Sequence, residues 1–300
     1  MQRRSAFRNY VEYALARLIL ASLAWTPLGF ARRLAGFYAA LLDHAVPRLR
    51  RIALRNLELA LPELTAAERK RIIDGVFASI GRLLVALARF PRLTRDNIGQ
   101  WIRYEGFEYF QEGLRRGKGV LFATAHLGNW ELSAFAHGLM AAPMHIVVRP
   151  LDNPKLDALL ERLRTLGGNR VIAKKDFARG ILRALANNEA VGILIDQNTS
   201  LEEGAFVDFF GLPACTNLGF AKIAARSQAT VIPGFALWTE DEGRYVLRFY
   251  PPVEMTGDPI ADTQRLQKIV EEVIRRYPDQ WLWIHRRWRT RPPGQAPLYE

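Results

Sequence analysis

His126 and Glu131 flank a change of pattern within GVLFATAHLGNWELSAFA, residues 119–136. A run of apolar, β-prone residues ends at His126, and an amphipathic segment starts at Asn129 with Glu131 in its first turn, which predicts a strand, a sharp turn and a helix. Imidazole is the side chain whose ordinary pKa lies nearest neutrality, so it can take a proton from a hydroxyl and return it to a leaving group. Along one helix this spacing would not bring the two side chains together. Across a turn, the Glu131 carboxylate can fold back onto the ring, fix its tautomer and stabilise the imidazolium. The expected chemistry is general-base acyl transfer, with the substrate's own hydroxyl as nucleophile. Gly128 allows close backbone approach, and the N–H groups around Gly128, Asn129 and Trp130 are expected as donors to an anionic group or a developing oxyanion.

Other chemistries leave little trace. One His and one Glu in a turn also make an ordinary structural pair, but there is no GxSxG elbow, HExxH helix or GxxxxGK[S/T] loop beside them, and Gly117–Gly119 precedes a strand where a phosphate loop should follow one. His44, His137 and His145 lie in apolar surroundings and read as packed structural residues. A metal held by His126, Glu131 and Asp196 is disfavoured, because zinc sites usually offer more His or Cys. The one cysteine, Cys215, rules out an internal disulfide framework, fits a reducing compartment and reads as a small buried hydrophobe.

The elements that must position the histidine follow from the order of the chain. Pro47–Pro62 reads as a proline-bounded helix with Arg48, Arg51 and Arg55 on one side and Asn56 near its apolar stripe, where a structural hydrogen bond is expected. Thr65-Ala-Ala-Glu68 has the capping-box form and opens a helix to about Phe90. From residue 117 onward, short apolar runs alternate with helical patterns: 120–125, 129–140, 145–149, 154–166, 171–173, 177–187, 191–196, 216–227, 231–237, 245–250 and 260–276. This alternation predicts an α/β fold with a mostly parallel twisted sheet flanked by helices, the last strands antiparallel if any are. Residues 1–100 form a helical, basic, membrane-associated extension and residues 101–300 the α/β part, as one structural unit. In open sheets of this kind working residues gather at the carboxyl ends of strands. His126, Arg149 and Asp196 meet that criterion.

Charge is uneven. The chain carries a net +12. Residues 1–55 hold ten arginines, at 3, 4, 8, 17, 32, 33, 48, 50, 51 and 55, against Glu12 and Asp43; residues 281–300 hold Arg286, Arg287, Arg289 and Arg291 against Glu300. Arginine gathered at two ends around an apolar segment points to an anionic partner: a membrane surface, a phosphorylated lipid or an acidic carrier protein. No zinc-finger, KH or RRM signature supports nucleic acid. Leu18–Ala31 is uncharged but shorter than a spanning helix needs, and Pro27 and Gly29 would bend it, so it reads as interfacial or re-entrant.

ATAHLGNWELSAF, followed by VVRPLDNP, ARGILRALANNEAVGILIDQN, VDFFGLPACTNLGFAKIAARSQATVIPGFALW and DQWLWIHRRWRTRP, resembles the bacterial lipid A biosynthesis (late) acyltransferases, within the lysophospholipid acyltransferase superfamily. The leader RIALRNLELALPE extends the likeness over nearly the whole chain. The resemblance implies an enzyme at the cytoplasmic face of the bacterial inner membrane. It would move a fatty acyl group from an acyl carrier protein thioester to a hydroxyl of a phosphorylated lipid A precursor, as a monomer and without a cofactor. It assigns His126 and Glu131 as the catalytic dyad and Arg149 and Asp196 to further active-site positions, with Arg149 either on substrate phosphate or paired with Asp196. Where glycerolipid acyltransferases have His-x4-Asp and a Pro-Glu-Gly-Thr-type loop, this chain has Glu131 and IDQN. The alternative is a coenzyme A-dependent lysophospholipid or glycerolipid acyltransferase.

Overall fold

The computed structural model describes residues 5–173 and 177–299. Arg3, Arg4 and Glu300 of the charged ends lie outside the described residues. Four helices come first: α1 (Ala6–Trp25), α2 (Leu28–Ala45), α3 (Pro47–Ala60) and α4 (Ala66–Arg89). The Leu18–Ala31 run is not one helix. It is divided at Thr26–Pro27, where proline has no N–H to continue the ladder and starts α2 instead. No helix among the described residues is long and apolar enough to cross a membrane. The capping box forms as predicted, Glu68 accepting from the Thr65 N–H at 2.8 Å and Thr65 Oγ1 accepting from the Glu68 N–H at 3.3 Å.

The sheet begins earlier than the sequence pattern suggests, at β1 (Ile102–Glu105), followed by α5 (Phe107–Arg115). Then come β2 (Val120–Thr124), α6 (Trp130–Met140), β3 (Met144–Val148), α7 (Pro154–Thr165), β4 (Arg170–Ala173), α8 (Phe177–Ala186) and β5 (Ala190–Leu194). A hairpin, β6 (Gly204–Phe209) and β7 (Leu212–Asn217), leads into α9 (Gly219–Ser227), β8 (Thr230–Thr239), β9 (Arg244–Phe249) and α10 (Pro259–Arg276). The hairpin occupies residues expected partly as helix. Its turn at Phe210-Gly211 takes both residues to positive φ, the form that matches strand twist.

Seven strands form one sheet in the order β1-β9-β8-β2-β5-β3-β4. β8, β2, β5, β3 and β4 are parallel neighbours, whereas β9 runs antiparallel to β8 and carries β1 with it in parallel. Buried on both faces, the central strands read as continuous apolar runs, as VLFA in β2 does. One core joins α3 and α4 to Trp281, Trp283 and Trp288 of the C-terminal segment; a second packs α4 and α6 on the sheet. α1 and α2 pack on α4 through Leu23, Ala31, Ala35 and Val85, and leave Phe7, Leu15, Leu18, Trp25, Phe30 and Phe37 exposed.

Candidate active site

The strand order decides which site residues meet. β2 and β5 are adjacent and in register, and their pairing continues past the last sheet residue through the Ile195 N–H donating to Thr124 O at 2.9 Å. The next residues out, His126 and Asp196, are therefore neighbours. The His126 ring Nδ1 lies 2.9 Å from Asp196 Oδ1, and the His126 backbone N–H donates to Oδ2 at 2.9 Å. The Trp281 indole N–H donates to the same Oδ2 at 2.8 Å. Asp196 is 2 % exposed. That burial opposes its ionisation, yet the imidazole and the two further N–H donors win, and the carboxyl is held down at about 2. As a carboxylate it can only accept, so Nδ1 carries the proton and the Nε2 lone pair turns outward. There the Gln197 amide nitrogen lies 3.3 Å away and donates to it.

This geometry corrects the expected partner of the imidazole. Glu131 does not fold back onto His126. Its carboxylate is taken by Arg164 of α7, Nε to Oε2 at 2.8 Å and Nη2 to Oε1 at 2.5 Å, a bidentate and nearly buried pair. At the first turn of α6 the Glu131 side chain is directed towards α7, and the place beside Nδ1 belongs to the strand-end aspartate. The alternative pairing of Arg149 with Asp196 is also not formed: Arg149, just past the end of β3, is exposed, and among the described residues the hydrogen bonds of Asp196 go to His126 and Trp281.

The turn itself is fixed by backbone. Gly128 has φ +64°, and a Cβ built there would lie 1.9 Å from Ala236 O, so only glycine fits. Its N–H donates to Gln280 O at 2.9 Å and that of Asn129 to Ala236 O at 2.9 Å, which spends two of the three donors expected for an oxyanion. Asn129 is buried and caps α6, its Oδ1 accepting from the Leu132 N–H at 3.0 Å. Gly128 and Asn129 thus shape the turn.

The C-terminal segment closes the site from beneath. The Leu282 N–H donates to His126 O at 2.9 Å, and Asn56 of α3 donates its amide to Trp283 O and His285 O, the structural bond its position suggested. Arg287, expected on a basic tail, is buried; it donates to Cys215 O and Thr216 Oγ1 and reaches Gln267, which in turn donates to Ile195 O. Burial lowers its pKa to about 10, so it stays charged at neutral pH and offsets the Asp196 carboxylate. Cys215 is buried, as its surroundings suggested.

Trp130 connects the base to a pocket. Its ring packs edge-on against His126 with centroids 5.0 Å apart, and it forms part of a cleft lined by Phe122, Met144, Ile146, Leu247 and Phe249, with the Glu131–Arg164 pair in its wall. The cleft's free volume is about 50 Å³, so a ligand entering it must displace side chains. Trp281, Arg164, Gln197 and Arg287 escape site assignment from sequence; the WLWIHRRWRTRP run was the signal for two of them.

A base with its lone pair turned outward beside a hydrocarbon-lined cleft is suited to an enzyme that works on a fatty chain. The chain belongs to the bacterial lipid A biosynthesis acyltransferases, whose family model matches residues 1–290. It is 32% identical over 252 residues to the lipid A biosynthesis palmitoleoyltransferase of Escherichia coli, covering 83% of this chain and 81% of that one. It is 30% identical over 257 residues to the lauroyltransferase of the same organism, 84% and 83% of the two chains. A lipid A biosynthesis acyltransferase of Haemophilus influenzae is 30% identical over 299 residues, 97% and 95%. The protein is an acyltransferase acting on lipid A.

Proposed function

We propose that the protein transfers a fatty acyl group from acyl carrier protein to a hydroxyl of a phosphorylated lipid A precursor at the cytoplasmic face of the inner membrane, with His126 as general base. The observation that carries this reading is the Asp196–His126 arrangement, which engages Nδ1 and directs Nε2 outward, to the Gln197 amide. The acceptor hydroxyl takes the place of the Gln197 amide, gives its proton to Nε2 and attacks the thioester carbonyl. A C–O bond forms, the tetrahedral intermediate collapses with loss of the C–S bond, and the imidazolium protonates the departing thiolate. The ester stays on the lipid and the thiol on the carrier.

Asp196 takes the orienting role first expected of Glu131. Glu131, through Arg164, positions Trp130 and the wall of the cleft that receives the acyl chain. The exposed apolar residues of α1 and α2, interleaved with Arg8, Arg17, Arg32 and Arg33, suit an interfacial seat on an anionic membrane. No cofactor is required by this chemistry.

The test is acyl transfer by purified protein offered acyl carrier protein and coenzyme A thioesters, each with a lipid A precursor and with lysophosphatidate. Selective use of the carrier thioester and the lipid A precursor is expected. Preference for coenzyme A and lysophosphatidate would overturn the reading.

A further inference from the structure

We propose that a second site, the cleft between α3 and the C-terminal segment, seats the phosphate-bearing headgroup of the lipid acceptor on Arg48, Arg51 and Arg55, with Arg286 opposite. This rests on the phosphorylated acceptor of the preceding reading and adds where its charge is held. The three arginines recur at the spacing that puts them on one face of α3. Together with Arg286, Leu298 and Tyr299 they line a cleft of about 980 Å³. No carboxylate lines it among the described residues.

Arg50, on the other side of the same helix, shows what a structural arginine does here. It is neutralised by Asp43 at 2.7 Å and Asp74 at 2.6 Å. Arg48 and Arg51 have no acidic partner among the described residues, and Arg55 meets only Leu298 O at 3.1 Å and Glu58 at 3.6 Å. The first turn of α3 carries no acidic residue, so its cations stand against the helix dipole. A bound anion relieves both the mutual repulsion and the dipole mismatch.

Position and shape select the ligand. The cleft is concave and of the size of small-ligand sites, unlike the flatter surfaces that proteins present to one another. Leu41 of α2, Val46 between the two helices and Leu54 of α3 are also exposed, and acyl chains leaving a headgroup need apolar neighbours of this kind. Asn56, next to Arg55 on α3, accepts from Tyr299 of the cleft and donates to residues 283 and 285, and residue 282 holds His126 O, so cleft and base share one segment. A phosphorylated sugar lipid satisfies all three conditions.

The test compares the full-length enzyme with the Arg48→Gln/Arg51→Gln double variant on a phosphorylated lipid A precursor and on the same precursor after phosphatase treatment. Two charge-assisted phosphate contacts predict that the variant's preference for the phosphorylated acceptor, as a ratio of kcat/KM values, falls about tenfold or more. Arg48→Lys/Arg51→Lys retains part of it. An unchanged ratio overturns the proposal. So does an equal loss on both acceptors with a raised KM for acyl carrier protein, which would make the cleft a carrier-docking surface. Cosedimentation with vesicles containing either precursor provides a readout without turnover: wild type and His126→Ala are expected to favour the phosphorylated lipid, and the double glutamine variant not to. If wild type favours it in sedimentation yet acylates neither precursor, the acyl-transfer reading falls and the phosphate site stands.

Discussion

Asp196 grips His126 at two points, accepting from the ring Nδ1–H through one carboxylate oxygen and from the backbone N–H through the other. The aspartate therefore sets both where the residue sits and which ring nitrogen bears the proton. Replacing it by asparagine removes the charge that stabilises the imidazolium and lets an amide N–H compete for Nδ1. Asp196→Asn is expected to lower kcat by about 10²- to 10⁴-fold. His126→Ala should fall at least as far, and the two together little further, because they act as a unit. Steady-state kinetics of the three variants checks this; near-wild-type turnover in either single variant would remove the mechanism.

Glu131 and Arg164 form a nearly buried bidentate pair in the wall of an apolar cleft. Breaking it from one side leaves an uncompensated charge, so Glu131→Gln should destabilise the protein by about 3–5 kcal/mol. Glu131→Leu with Arg164→Met, which removes both charges, should recover much of that loss. Urea unfolding of the single and double variants measures the difference.

Gly128 permits no other residue. A methyl group there meets Ala236 O in a backbone conformation that L residues avoid, so Gly128→Ala is expected to cost about 3 kcal/mol or more and to displace His126. Thermal unfolding together with activity reports both effects.

The buried His137 and the half-buried His285 predict a pH dependence of stability. Burial lowers His285 from 6.5 to about 4 and His137 from 6.5 to about 3, so both remain neutral in the fold while the unfolded chain takes up protons. Their contribution is complete above pH 6.5 and lost as pH falls toward 4, by about 1.4 kcal/mol per pH unit for each. Asp196, lowered from 3.8 to about 2, loses its contribution only below that window. Urea midpoints between pH 7.5 and 5 should show this slope, and His285→Gln should flatten it by about one proton.

The cleft beyond Trp130 is the seat proposed for the acyl chain, and Met144 lies on its wall close to Gly192, where a Cβ would come within 2.6 Å of Met144 Cε. Met144→Ala should shift donor preference toward longer chains and Gly192→Ala toward shorter ones. Competition between thioesters of different chain length, read by mass spectrometry of the lipid product, tests both.

The βα alternation, the strand-end placement of His126 and Asp196 and the capping box at Thr65 were all legible in the sequence, because each depends on short-range pattern. The partner of His126 was not. Spacing offered Glu131, five residues on, whereas Asp196 reaches the ring only because β5 lies beside β2, a fact of strand order that local pattern does not contain. Arg287 escapes for the same reason: beside Arg286, Arg289 and Arg291 it reads as part of a basic end facing an anionic partner, and only the packing of α10 and β7 around it makes it a buried cation. β1 was missed because four residues at a sheet edge carry too little periodicity to register.

The C-terminal segment that passes beneath the histidine has a bearing on how the enzyme comes to life. Leu282 holds the His126 carbonyl, Gln280 the Gly128 N–H and Trp281 the Asp196 carboxylate, although the strand, turn and helix they brace are made far earlier in the chain. Contacts this distant in sequence form late, after the closure entropy of the intervening chain has been met. A growing polypeptide can therefore assemble most of its sheet while the base still lacks its support. The histidine turn therefore gains its bracing only once the tryptophan-rich end of the chain has docked against it.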